Sequence, residues 1–283
     1  KYLYYCAQII SYHCRKSKIK RISPFNQKVE EGRKLVNEFL LINHPLDCPI
    51  CDQSGECTLQ DYSFKYGSGK SEMDYSKRVN GWRDIGTFVA LERNRCIQCS
   101  RCDRFTREIT GTNEFGMFNR GHELAVDTYT DRPMTNKFQG NMADICPVGA
   151  LTSDDFRFQM RVWFLKETKS LCTGCGTGCN TVIGSRENRM YRYEPRQNDA
   201  VNSDWMCDTG RLDYKWIGRD DRLAKLRGPK GDTTWPSALR EISGHLAKAA
   251  EGSVAIVASA RQTNEELFLL NKLAKRYKAL TDS

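Results

Sequence analysis

A chain of 283 residues is long enough for about two average domains, or for several small ones stapled by inorganic groups. Its 44 basic and 35 acidic side chains leave a net charge of +9 that is scattered, apart from Arg15-Lys16-Ser17-Lys18-Ile19-Lys20-Arg21, which argues against nucleic acid as the partner. Thirteen cysteines are too few for a disulfide scaffold and odd in number, and the longest apolar runs, Phe39–Ile42 and Ser253–Ser259, are too short to span a bilayer. The expectation is a soluble chain of a reducing compartment, whose clustered cysteines bind metal.

In chain order, residues 1–25 carry Cys6 and Cys14 and then no thiol before Cys48; Ser17 stands where a plant-type [2Fe–2S] loop would place its next cysteine. Two thiolates cannot hold a binuclear cluster, so this stretch reads as a remnant or degenerate domain. From Asn26 to Asn43, Val29, Val36, Phe39 and Leu40 fall near a 3.6-residue spacing, which predicts a helix with an apolar core stripe. That helix should stop before His44-Pro45, because proline disfavours the helical region in the residue ahead of it.

His44 then stands four positions before Cys48, followed by Cys51 and Cys57. An isolated histidine is usually a packing or surface residue, but this cysteine triplet has no nearby fourth thiol to complete it. An imidazole in place of one thiolate removes a negative charge and should raise a cluster's reduction potential. Residues 58–90 read as connecting structure with a small aromatic core of Tyr62, Phe64, Tyr66 and Trp82. Thr87–Glu92 predicts a strand entering the next cysteine loop.

Cys96-Ile-Gln-Cys99-Ser-Arg-Cys102 places three thiolates on one short loop, answered after 43 intervening residues by Cys146-Pro147. This is the ferredoxin way of ligating a [4Fe–4S] cluster; a structural zinc site draws on two separated cysteine pairs. Asp103–Thr110 predicts a short helix ended by Gly111, and Gly121–Thr130 a strand, with His122 structural. A further set follows: Cys172, Cys175 and Cys179, then Cys207 after 27 residues. Gly174, Gly176 and Gly178 lie among these cysteines, where backbone N–H groups can approach inorganic sulfide; no Lys-Ser/Thr follows to make a phosphate loop. Thr181–Ser185 and Met190–Tyr193 bracket a hairpin turn at Arg186–Arg189. Residues 220–283 offer no ligands and predict a helix over Trp235–Ala250, a buried strand over Ser253–Ser259 and a helix over Asn264–Tyr277, the opening of an α/β domain.

His44-Pro-Leu-Asp-Cys-Pro-Ile-Cys, Gly55-Glu-Cys57-Thr-Leu-Gln-Asp61, Cys96-Ile-Gln-Cys-Ser-Arg-Cys and Cys146-Pro-Val-Gly-Ala resemble the large iron–sulfur subunit of bacterial respiratory complex I, NADH:quinone oxidoreductase, over roughly residues 26–283. The resemblance implies an α+β chain of small ferredoxin-like iron–sulfur domains followed by the start of an α/β molybdopterin-oxidoreductase-like domain. The units would be 1–25, 26–85, 86–163, 164–219 and 220–283.

By the same resemblance, His44, Cys48, Cys51 and Cys57 hold one [4Fe–4S] cluster and Cys96, Cys99, Cys102 and Cys146 a second. Cys172, Cys175, Cys179 and Cys207 match a third, found in many bacterial members. A [2Fe–2S] cluster near Cys6 and Cys14 is in doubt. The chain would carry no substrate site. It would pass electrons from a flavin- and NADH-binding partner subunit towards quinone, in a peripheral arm on the cytoplasmic face of the bacterial inner membrane, beside other arm subunits and with no membrane span of its own.

Two other iron–sulfur readings share parts of this pattern. An NAD-linked formate dehydrogenase catalytic subunit has the same front half, but Thr209 in Cys207-Asp-Thr-Gly-Arg211 stands where that family resembles itself through lysine. A hydrogenase subunit would diverge after Cys146. In another class, a zinc-ribbon protein would use His44 and the same eleven cysteines as three tetrahedral sites, against the grain of the Cys96 triplet.

Overall fold

The computed structural model describes residues 24–71, 73–129, 132–229 and 231–282, so Cys6 and Cys14 lie outside the described residues. Helix α1 (Gln27–Leu41) is capped by the Asn26 side chain, which accepts from the Val29 N–H at 3.0 Å. At its other end Lys77 Nζ donates to the Leu41 and Ile42 carbonyls at 2.8 and 3.0 Å, serving acceptors that the helix itself leaves free. The expected apolar stripe is not core. Val36 and Phe39 are 61% and 74% exposed, and the inward face runs Asn37, Leu40, Leu41 and on to His44. The reason is one-sided packing: α1 rests on helix α2 (Thr58–Tyr66) and on the loop around Val148.

Helix α2 stands where connecting structure was expected. The small aromatic core is likewise absent, since Tyr62, Phe64 and Trp82 are exposed.

The densest packing follows. Strand β1 (Val89–Leu91) pairs antiparallel with β4 (Leu151–Ser153), and β2 (Phe115–Phe118) with β3 (Ala125–Thr128). Helices α3 (Arg101–Glu108) and α4 (Gly140–Ile145) close over them. Ile85, Val89, Leu91, Phe105, Phe115, Val126, Met134, Met142 and Leu151 form one buried cluster with Cys102. Burying side chains of this size stabilises by about 1.5–3 kcal/mol each. The strand expected from Gly121 begins only at Ala125, because residues 121–123 make a 3-10 turn and expose His122.

A three-stranded antiparallel sheet comes next, from β5 (Lys166–Leu171), β6 (Asn180–Arg186) and β7 (Arg189–Pro195). The β6–β7 turn puts Glu187 and Asn188 at φ +50° and +65°, the left-handed pair of a tight hairpin. Helix α5 (Asp208–Leu212) packs on β7. After the short ribbon β8 (Arg227–Gly228) and β9 (Gly231–Asp232) come α6 (Trp235–Lys248), β10 (Ala255–Val257), α7 (Asn264–Tyr277) and β11 (Leu280–Asp282). β10 and β11 are parallel with α7 between them, a β–α–β unit. The strand expected over Ser253–Ser259 is shorter and not buried: Val257 is 80% exposed, because only α7 packs on this two-stranded sheet. No helix among the described residues is long and apolar enough to cross a membrane.

Candidate metal centres

The first cysteine set is organised by a turn at Asp47, whose carbonyl accepts from the Ile50 and Cys51 N–H groups at 2.9 and 2.7 Å. Cys51 and Cys57 are buried and Cys48 is exposed. Cys57 begins α2, where the Leu59 and Gln60 amides bond its sulfur; burial pushes its thiol up, and the neighbouring Cys51 and Cys48 add to that. His44 is delivered by α1, with its N–H on the Leu41 carbonyl at 3.2 Å. Burial pulls its pKa down to about 4, and the Lys77 and Arg95 cations press the same way, so the imidazole is neutral at physiological pH. Nδ1 is buried with no hydrogen-bond partner. A neutral, orphaned ring nitrogen facing cations rather than a carboxylate partner is the form in which histidine binds metal.

The second set lies between α3 and α4. Gln98 and Ser100 sit at φ +54° and +59°, which folds the loop back on itself, and the Gln98 N–H reaches Cys96 Sγ at 3.3 Å. Cys102 opens α3 and Cys146 terminates α4. All four sulfur-bearing residues line one small enclosed space with Val126, Val148, Ala150 and Leu151. Burial pushes the Cys146 thiol up to about 11, against the Val148 and Leu151 amides, and burial with repulsion from Cys96, Cys146 and Cys99 lifts Cys102 further. Thiolates gathered in such a dry space need a positively charged core to ionise, and an iron–sulfur core supplies one.

In the third set Cys172 ends β5, Cys179 leads into β6 and Cys207 caps α5. The Cys172 N–H bonds the Cys179 carbonyl at 2.8 Å, and the Gly210 N–H reaches Cys207 Sγ at 3.3 Å. A Cβ at Gly210 would stand 3.2 Å from Cys172 Sγ and 3.3 Å from Cys207 Sγ, so both sulfurs flank one point. Cys175 is exposed, its thiol held down by the Thr177 hydroxyl and amide. Burial, then Cys172, Cys175 and Cys207, raise Cys179.

Each set is thus brought together from its own loop plus one distant contribution. Among the described residues no three His, Cys, Asp or Glu side chains converge on a single-ion position; a cubane needs no such convergence, since each ligand takes a different iron.

The sets are tied to one another by residues that motif reading passed over. Gly149 is one: a Cβ there would overlap the Cys51 sulfur, so the Cys146 loop packs directly on the Cys51 loop. Gly149→Ala should displace Cys51, cost about 1–3 kcal/mol by overpacking and lower bound iron, as stoichiometry and anaerobic urea midpoints would show. Gly55, at φ +93°, is closed in by Trp163 in the same manner.

Asp208 accepts from the Gln139 and Gly140 N–H groups at 2.9 and 2.8 Å, capping the start of α4 from the third set. Arg211 pairs with Asp144 (Nη1–Oδ1 3.0 Å), and Arg192 of β7 grips Glu56 with both terminal nitrogens at 3.0–3.1 Å. Motif reading missed these because each acts across 67 to 136 residues of sequence.

Beside Arg192 (3.2 Å), burial raises Glu194 from its usual 4.5 to about 7, more than Arg192 can offset. The folded chain therefore binds a proton that the unfolded chain releases near pH 4.5. This contribution is whole below pH 4.5 and is lost as pH rises through 7. Urea midpoints measured anaerobically should fall between pH 5 and pH 8 by less in Glu194→Gln than in the parent chain.

Three buried or half-buried sets of thiols, each braced by backbone N–H groups on sulfur, define an iron–sulfur protein of ferredoxin type. Comparison with known proteins agrees at each set. Residues 33–72 match the NADH-ubiquinone oxidoreductase-G iron-sulfur binding region. Residues 86–152 match the ferredoxin-like domain of NADH-quinone oxidoreductase subunit 3, and residues 165–215 the NADH-ubiquinone oxidoreductase NDSU1/NuoG-like 4Fe-4S domain.

The chain is 38% identical over 257 residues to the G subunit of NADH-quinone oxidoreductase from Rickettsia felis, and 37% identical over 257 residues to its counterpart from Rickettsia conorii; each alignment covers 90% of this chain and 38% of the relative. The protein is a homologue of the large iron–sulfur subunit of bacterial NADH-quinone oxidoreductase, and spans well under half the length of those relatives. A crystal structure of an NAD+-reducing [NiFe]-hydrogenase in the H2-reduced state aligns with a TM-score of 0.44 at 24% identity, over 49% of this chain and 60% of that one.

Proposed function

We propose that this chain is the electron-conducting iron–sulfur part of an NADH:quinone oxidoreductase. His44, Cys48, Cys51 and Cys57 hold one [4Fe–4S] cluster; Cys96, Cys99, Cys102 and Cys146 hold a second; Cys172, Cys175, Cys179 and Cys207 hold a third. The units are residues 26–85, 86–163 and 164–219, and 220–283 opens an α/β domain of molybdopterin-oxidoreductase type. Its partners are the flavin- and NADH-binding subunit and other arm subunits, on the cytoplasmic face of the membrane.

The observation that carries the reading is the enclosure of Cys96, Cys99, Cys102 and Cys146 around one space inside the best-packed region of the chain. When bound, the clusters supply one-electron redox chemistry. This chain's residues supply what tunes it: a neutral imidazole at one site, amides of Gln98, Val148, Leu151 and Gly210 on sulfur, and apolar walls that exclude water.

The test is low-temperature EPR of the intact complex during anaerobic titration with NADH. The reading expects [4Fe–4S] signals to grow with NADH from the first two sites. A colourless, EPR-silent chain carrying zinc would overturn it.

A further inference from the structure

Arg95 is the last residue before the Cys96 loop, yet its side chain turns back to the first cysteine set. It is buried, with only 6% of the side chain exposed. Nε and Nη2 both donate to one oxygen of Asp47, at 3.2 and 3.0 Å. Nη1 is buried and has no acceptor among the described residues. A buried charged donor left unpaired is costly, so the position implies an acceptor that protein atoms do not provide.

Three contacts say where that acceptor lies. Asp47 forms the turn whose carbonyl receives the Cys51 N–H at 2.7 Å. A Cβ at Gly149 would stand 3.5 Å from Arg95 Cδ while overlapping the Cys51 sulfur, so the arginine stem and that sulfur are close neighbours. The imidazole of His44 faces the Arg95 cation on the same side. Lys77 is the other cation near His44, but its ammonium is committed to the Leu41 and Ile42 carbonyls. Cys96 of the second set faces Arg78 instead.

We propose that Arg95 donates a hydrogen bond from Nη1 to the iron–sulfur group held by His44, Cys48, Cys51 and Cys57, and that its fixed charge raises the reduction potential of that group. The inference rests on the ligand reading above and adds a residue to it. One-electron reduction, with the electron coming from the upstream donor, adds one negative charge to the cluster; no proton need move. A cation held in a dry site stabilises the reduced form more than the oxidised one. Asp47 offsets this only in part, because its carboxylate is one-third exposed and screened by water.

The experiment is an EPR-monitored redox titration of the intact complex. His44→Cys first identifies the signal of this cluster, because exchanging imidazole for thiolate must change it. If His44→Cys leaves every signal unchanged, the ligand reading fails. With the signal identified, Arg95→Gln is expected to retain full iron and sulfide and to lower the reduction equilibrium constant of that cluster about tenfold, which is about 59 mV for one electron. Full iron with an unmoved midpoint would overturn the role of Arg95 while leaving the ligands intact.

If Arg95→Gln loses iron, the decision passes to the unsubstituted complex grown on 15N-arginine. A guanidinium nitrogen hyperfine coupling on that cluster's reduced signal supports the bond, and its absence overturns it.

Discussion

Replacing Asn141 by leucine is expected to lower stability by about 3–6 kcal/mol, although the two side chains have nearly the same volume, because it strands several buried polar groups at about 1–3 kcal/mol each. Asn141 is fully buried on α4. Its Nδ2 donates to the Phe138 and Met206 carbonyls at 2.9 and 2.8 Å, and its Oδ1 accepts from the Met206 N–H at 3.0 Å. The two-way bond with Met206 joins the helix that ends at Cys146 to the residue that precedes Cys207. Leucine fills the space and leaves the Met206 N–H and carbonyl dry and unpaired. Anaerobic urea denaturation would measure the loss. A change below about 1 kcal/mol would mean that the clasp between the second and third units contributes little.

The second large effect falls on metal content. Cys146→Ala should remove about four iron and four sulfide per chain while sparing the other two sets. Cys146 arrives on its own helix, opposite the loop that carries Cys96, Cys99 and Cys102, and no other described cysteine lines that enclosed space. Its removal opens the space and leaves three buried thiols without a core to ionise them. Losing fewer than about two iron atoms per chain would show that Cys146 holds no cluster.

Local patterns carried most of what the sequence made legible. The Cys96 loop, its helix from Arg101, the β6–β7 hairpin and the helix at Asn264–Tyr277 follow from spacing, turn residues and capping within about fifteen residues, and they stand as expected. What failed was burial. Val36, Phe39, Phe64, Trp82 and Val257 were read as core because they are apolar, but burial depends on what packs opposite, and periodicity carries no information about that.

The candidate ligands were legible one set at a time. The groups that join the sets were not: Asn141 to Met206, Asp208 to the start of α4, Arg192 to Glu56 and Arg95 to Asp47 are all long-range polar contacts between residues without a motif. Asp208 shows the difficulty well. An N-cap is normally sought just ahead of its helix, and this one comes from 68 residues downstream.

The central claim is that the three thiol-rich sets hold iron–sulfur cubanes rather than single ions. Iron, acid-labile sulfide and zinc per chain, determined on anaerobically purified protein, test it most directly. The account predicts about twelve iron and twelve sulfide with negligible zinc; roughly two more of each would add a [2Fe–2S] group in the N-terminal segment without disturbing it. Zinc near three with no sulfide would contradict it and leave a metal-stapled binding protein in its place.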